Sequence, residues 1–181
     1  MSVTDWEGIV ARDGPAVWRT VYRLLGRRAD AEDCFQETFL AALRLWARQP
    51  VQHPRAALQR LATARAVDRL RRRYRESAHV GTVTWDALSH PDPSPPDRAA
   101  AAELSQRLRE ALTLLPAKQA DVFCLYSLEG WAYADIAAEL GISVDAVGVL
   151  LHRARAKLRA ALADVREGPV AHSTRVVKGS L

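Results

Sequence analysis

Only two cysteines occur in the 181 residues, Cys34 and Cys124, each in an apolar helical context and far apart in sequence. That excludes a disulfide framework and argues against a thiolate metal cluster, so two buried free thiols are expected. No stretch approaches the roughly 20 apolar residues of a membrane span. The N-terminus, MSVTDWEGIV, lacks the basic start and long apolar run of a secretory signal, and a cytoplasmic protein is expected. Catalytic signatures are missing as well: there is no glycine-rich phosphate loop, no G-x-S-x-G, no H-E-x-x-H and no Cys-x-x-Cys. His53, His79, His90, His152 and His172 are scattered without ligand spacing. The expectation is therefore a chain that catalyses nothing, with no metal, no cofactor and no small-molecule substrate.

Alternating apolar and polar residues are rare too, which leaves Val80 to Trp85 as the one candidate strand. What is present is apolar spacing of three and four residues from Trp6 to Leu162, within a composition that is 49% hydrophobic. The fold class is read as all-α. One break divides it. From Glu76 to Asp97 the chain holds Pro91, Pro93, Pro95 and Pro96 with Asp86, Asp92 and Asp97, and no Lys or Arg, so it reads as a flexible linker. Two small helical domains are expected, 1–75 and 99–163, joined by a linker over 76–98 and followed by a basic, disordered tail over 164–181. Lys plus Arg exceed Asp plus Glu by 26 to 21, a net +5 that favours a polyanionic partner.

In the first domain Val17, Val21 and Leu25 form a stripe ending near Gly26. Asp30 is expected to cap the next helix, with Glu32 and Asp33 in its first turn where the dipole favours carboxylates. Phe35, Phe39, Ala42, Leu43 and Trp46 continue that helix as an apolar face. Pro54 suits the start of a third helix, packed through Leu58, Leu61, Ala62 and Leu70. This helix ends in Arg65, Arg69, Arg71, Arg72, Arg73, Tyr74 and Arg75, with Asp68 its one acidic residue there. Cations for a backbone beside an aromatic plane for an unstacked base suit melted or single-stranded DNA. Glu32, Asp33, Gln36 and Glu37 make an acidic, amide-bearing surface that suits a protein partner. A di-iron carboxylate site would need Glu-x-x-His pairs, and there are none.

In the second domain Leu104, Leu108, Leu112 and Leu115 share a face stopped by Pro116, and Val122, Leu125 and Leu128 mark a helix closed by Gly130. Tyr133 to Leu140, the turn Gly141-Ile142, and a longer helix capped by Ser143 then form a helix-turn-helix pattern with Ile136, Ala137, Leu140, Ile142 and Val147 as its core. On the last helix Val147, Leu151, Ala154 and Leu158 face inward. Asp145, Val149, His152, Arg153, Ala156 and Arg159 are left outward, a face that fits a major groove, with arginines for phosphates or guanine edges and valine for a thymine methyl.

The order of these pieces resembles the extracytoplasmic-function (ECF) RNA polymerase sigma factors. Asp30 to Phe39, DAEDCFQETF, resembles the segment with which that family grips the clamp helices of the largest polymerase subunit, implying core-polymerase binding by Glu32, Asp33, Gln36 and Glu37. Leu58-x-x-Leu61-Ala62 with Asp68-x-Leu70-Arg71-Arg72-Arg73 resembles the promoter-melting helix, implying minus-ten DNA binding by Arg65, Arg69, Arg71, Arg72, Arg73 and Tyr74. Leu115-Pro116 through Leu158 resembles the minus-thirty-five-reading domain, implying DNA binding by Val149, His152, Arg153, Arg155 and Arg159. The implied partners are core RNA polymerase (clamp helices and flap), promoter DNA and an anti-sigma factor. Four places depart from the family pattern. Ala57 and Ala64 stand where a tryptophan and an asparagine are usual, Gly148-Val149 replaces a lysine and a serine, and Ala132 occupies a serine cap position.

Two other readings fit parts of the pattern. A helix-turn-helix regulator that does not associate with polymerase would bind DNA through the second domain and use the first for sensing or dimerising. A nucleic-acid-processing enzyme would need a metal site built on Glu32 or Asp33.

Overall fold

The computed structural model describes residues 5–47, 51, 53–80 and 96–163, which form seven α-helices and no strand. They are α1 (Trp6–Leu25), α2 (Arg28–Trp46), α3 (Pro54–Val80), α4 (Pro96–Thr113), α5 (Ala117–Ser127), α6 (Tyr133–Leu140) and α7 (Val144–Ala163). The candidate strand and the 164–181 tail lie almost wholly or wholly outside the described residues. Of the expected linker, α3 takes the start, running on to Val80, and α4 takes the end from Pro96.

Local chemistry sets the helix ends. Asp5 caps α1 by accepting from the Gly8 N–H at 2.9 Å, and α1 closes on Gly26 in the left-handed conformation, φ 71°. Pro54 opens α3 as expected, since its missing N–H would have had no partner in a first turn. The expected Asp30 cap of α2 is corrected. The N-cap position is Arg27, which makes no side-chain cap, and Asp30 sits inside the first turn with its carboxylate accepting from Arg73 at 3.2 Å.

Val17, Val21, Leu24 and Leu25 of α1 pack on Leu58, Ala62, Ala66 and Leu70 of α3, with Ala31, Cys34 and Ala42 of α2 closing the bundle. Leu43 lies outside this core at 45% exposed, and the face of α2 turned inward carries Cys34 and Thr38 instead. Both cysteines are buried free thiols. In α4, Leu112 and Leu115 are buried but Leu104 is 59% exposed, because residues 101–105 reach beyond the helices that α4 packs on.

Sequence periodicity did not indicate how the two halves sit. They share one hydrophobic core, with Ala111, Leu112, Leu115, Ala120 and Cys124 of the second half in the same cluster as Val67 and Leu70 of α3. Polar contacts surround that junction. Arg109 of α4 donates to the carbonyls of Leu24 (3.0 Å) and Arg23 (3.3 Å), satisfying the open end of α1. Gly26 leaves room for it: a Cβ there would fall 2.7 Å from Arg109 Cζ. Gln59 of α3 donates to Glu129 (3.0 Å) and accepts from the Trp131 indole (3.3 Å), and Arg60 pairs with Glu139 of α6 at 2.7 Å. The Arg109 guanidinium, partly desolvated and near Arg73, is held below its ordinary value.

Asp121 of α5 lies beside this junction. Burial pushes its carboxyl up to about 6, against the pull of Arg60 and Arg71 and with Asp68 adding to the rise. A carboxyl raised in the folded state contributes stability that is full below its ordinary range and is lost as pH rises through about 6. Asp121→Asn, which cannot ionise, is expected to gain stability relative to wild type between about pH 5 and about pH 7.5, as read by urea melts at both values. A constant difference would contradict the burial of this carboxyl.

Candidate functional site

The helix-turn-helix forms as the sequence pattern predicts. Gly141 takes the left-handed conformation (φ 62°) that the tight turn demands, and the Ile142 N–H donates to Ala137 O at 3.0 Å. Ser143 caps α7 by accepting from the Ala146 N–H at 3.1 Å. Val122, Leu125, Ile136, Ala137, Val147 and Leu151 form a core of their own beneath it. Ala132 occupies the N-cap of α6 and supplies no side-chain bond.

This packing fixes which side of α7 faces out. Val147, Leu151, Ala154 and Leu158 are buried, whereas Val149, His152, Arg153, Arg155 and Arg159 are exposed, Val149 at 49%. The five form two strips. Val149 and Arg153 are exposed outside a groove of about 630 Å³ that His152, Arg155 and Arg159 line together with Phe123 and Leu158. Arg155 lies over the Tyr126 ring, 5.2 Å from its centroid, which restrains it. A Cβ at Gly148 would meet only the Tyr133 ring, at an ordinary 3.7 Å.

The six residues of the α3 constellation divide three ways. Arg65, Arg69 and Arg73 lie against α2. Arg69 pairs with Asp33 at 2.7 Å and with Glu37 at 3.5 Å, Arg65 with Glu37 at 3.8 Å, and Arg73 with Asp30 at 3.2 Å. Arg71 and Tyr74 turn to the second half: Arg71 donates to Leu115 O at 2.7 Å, and the Tyr74 hydroxyl accepts from Gln106 at 2.8 Å. Partial burial against α4, with Glu110 nearby, raises the Tyr74 phenol above its ordinary value. Arg72 remains exposed, makes no ion pair with the described residues, and lines a groove with Asp30, Glu37 and Arg69. Helical spacing places Ala57, Ala64 and Asp68 on the same side as Arg72.

The acidic surface of α2 divides as well. Asp33 and Glu37 meet the arginines of α3, while Glu32, paired with Arg28 at 2.8 Å, and exposed Gln36 face outward. On that outward side lie Leu40 and Leu43, 52% and 45% exposed, so the face continues as an apolar strip that the sequence reading had assigned in part to the core. Among the described residues no group of three or more His, Cys, Asp or Glu could hold a metal, and no helix is long and apolar enough to cross a membrane.

Comparison with known proteins bears on both halves. Residues 9–76 match Sigma-70 region 2 and residues 105–158 match Sigma-70 region 4. The ECF RNA polymerase sigma factor SigL of Mycobacterium tuberculosis is 35% identical over 82% of this chain and 84% of its own. The chain belongs to the ECF RNA polymerase sigma factors. The ECF sigma factor SigE of Mycolicibacterium smegmatis is 32% identical over 90% of this sigma factor, which spans 63% of SigE. The solved structure of CnrH in complex with the cytosolic domain of CnrY is 27% identical, covers 88% of each chain and superposes with a TM-score of 0.54. A sigma factor works with core RNA polymerase on promoter DNA in directing transcription, and that is the function family membership gives this chain.

Two measurements follow for the sigma factor. Ala132→Ser supplies the missing cap of α6 and is expected to raise stability by about 1 kcal/mol in a urea melt. Asp33→Asn breaks an exposed pair and is expected to change stability by less than about 1 kcal/mol. By removing the shortest of the Arg69 pairs, with Glu37 and Asp30 still near, it should also modestly tighten binding of the free protein to single-stranded DNA at low salt, read by fluorescence anisotropy; equal affinity would show that Asp33 does not compete with phosphate for Arg69.

Proposed function

We propose a division of labour in which residues 1–75 act as sigma region 2 and residues 99–163 as sigma region 4. Region 4 reads duplex DNA at the minus-thirty-five element through α7. Val149 and Arg153 reach the groove floor, and His152, Arg155 and Arg159 hold its phosphates. Region 2 docks on the clamp helices of core polymerase through Glu32, Asp33, Gln36 and Glu37. The exposed leucines beside them, Leu40 and Leu43, support this docking, since a protein partner buries such a strip and DNA does not. The open side of α3, led by Arg72, receives the melted minus-ten strand together with Arg65, Arg69, Arg71, Arg73 and Tyr74. The observation that carries the reading is the outward face of α7: an exposed valine beside cations, above a fully buried core face. The chain supplies no catalysis of its own and works in the cytoplasm with the polymerase. CnrH was solved bound to a second protein, and a covering partner of that kind, an anti-sigma factor, suits this chain also.

Small residues at Ala57 and Ala64 on the open side of α3 favour minus-ten reading that leans on backbone contacts. Reconstituted run-off transcription with core enzyme tests the assignment. Arg72→Glu is expected to abolish open-complex formation while core binding in a pull-down is unchanged. Loss of core binding would mean that the surfaces are misassigned, and a wild-type chain that never co-purifies with core would favour the stand-alone regulator.

A further inference from the structure

We propose that Tyr126 is a positioning residue for promoter binding: braced by Tyr133, its ring holds the Arg155 guanidinium in place before DNA arrives, so that Arg155 meets a backbone phosphate with little ordering left to lose. The proposal rests on the assignment of α7 as the helix that reads duplex DNA, and it names what prepares that helix.

Gly148, His152, Arg155 and Arg159 follow one another at i, i+4, i+7 and i+11, so they form one stripe along the groove side of α7. Arg155 and Arg159 on that stripe, and Arg153 beside it, are exposed and make no ion pair among the described residues. An exposed arginine samples many rotamers and gives up that freedom when it grips a phosphate. Arg155 differs from the other two. It lies over the Tyr126 ring, 5.2 Å from the centroid, whereas Arg159 turns back to donate to Arg155 O at 3.3 Å and Arg153 has no aromatic partner among the described residues. A planar guanidinium held over a ring face keeps its in-plane N–H groups free to donate. The ring therefore restrains Arg155 without occupying the groups that a phosphate needs.

The ring is itself held. Tyr126 lies in the last turn of α5 and Tyr133 opens α6. Between them Gly130 takes the left-handed conformation, φ 74°, and its N–H donates to Tyr126 O at 3.2 Å, which turns the chain back on itself. The turn sets the two rings edge to face, with centroids 5.2 Å apart and 71° between their planes, a favoured arrangement that fixes the tilt of Tyr126. Both rings also pack on the Val122, Leu125 and Ile136 core. Gly148 leaves Tyr133 its place beside α7, where a Cβ would already touch the ring at 3.7 Å. Core, tyrosine pair and arginine thus form one chain of contacts that ends at the reading face.

The test uses the full chain and a duplex that the wild type selects from a random-sequence library, with affinity read by fluorescence anisotropy over a salt series. Arg155→Ala is expected to reduce the salt slope by about one, the loss of one phosphate contact. Tyr126→Leu, which removes the ring and keeps apolar bulk, is expected to weaken binding about three- to fivefold, whereas Tyr126→Phe, which keeps the ring, binds as the wild type does. In the Arg155→Ala background Tyr126→Leu is expected to change nothing further, a coupling that a merely structural role of the ring would not produce. Equal weakening by Tyr126→Leu in both backgrounds, or Tyr126→Phe as weak as Tyr126→Leu, overturns the proposal and leaves α7 as the reading helix. So does an Arg155→Ala chain that keeps the wild-type slope while Arg153→Ala weakens binding. If Arg153→Ala and Arg155→Ala both leave affinity and slope unchanged, the assignment of α7 falls and the proposal falls with it.

Discussion

Leu58, Ala62, Ala66 and Leu70 bury one flank of α3 against α1 and α2, and Val67 with Leu70 buries the next flank against α4 and α5. This two-sided burial places α1, α2, α4 and α5, while α6 packs with α5 and α7 on a core of its own. The alanines matter as much as the leucines, because a short side chain lets a neighbouring helix come close enough for its own apolar row to fill the space. Each fully buried leucine contributes about 1.5–3 kcal/mol, so Leu70 of α3 with Leu112 and Leu115 of the second half supplies much of the hold between the two halves. The third flank stays open, and it is there that Ala57, Ala64 and Arg72 lie.

Much of this was legible from spacing. The stripes of α1 and α7, the start of α3 at Pro54, the glycine turn at Gly141 and the serine cap at Ser143 are local matters, fixed by residues within one or two helical turns. Local signals mislead where a neighbour from elsewhere in the chain takes over. Asp30 has the chemistry of a cap, but the arginines of α3 claim its carboxylate. Leu43 has the spacing of a core residue, yet α2 turns its Cys34 and Thr38 side inward. Leu104 keeps the period of Leu108 and Leu112 beyond the point where α4 has anything to pack on. The joining of the two halves left a faint trace: the buried positions of α3, from Leu58 through Thr63 to Val67 and Leu70, span more of the helix than one partner can cover. Arg109, Gln59 and Trp131, which rim the junction, carry no local signature.

Charge on region 2 is more nearly balanced than the sequence suggests. The arginines of α3 look like a bare cationic face when read along the helix, but Arg65, Arg69 and Arg73 already lie against carboxylates of α2. Such half-exposed pairs add little stability and are weakened by salt. Their effect is on what the surface presents to a polyanion, because a phosphate must displace a carboxylate before it gains an arginine. On the outward face of α7 Asp145 is the one carboxylate among the described residues, and Arg153 stands in solvent with no ion pair to them. The two basic helices of one chain therefore start from different electrostatic positions.

Gly148 gives α7 a property of another kind. Among the described residues only the Tyr133 ring meets the space its side chain would take, at an ordinary distance, and Val147 and Leu151 pack on the buried face next to it. The exposed and the buried residues of α7 are therefore separate sets, so a change at Val149 or Arg153 alters what the helix shows to solvent while the packing beneath it stays as it is.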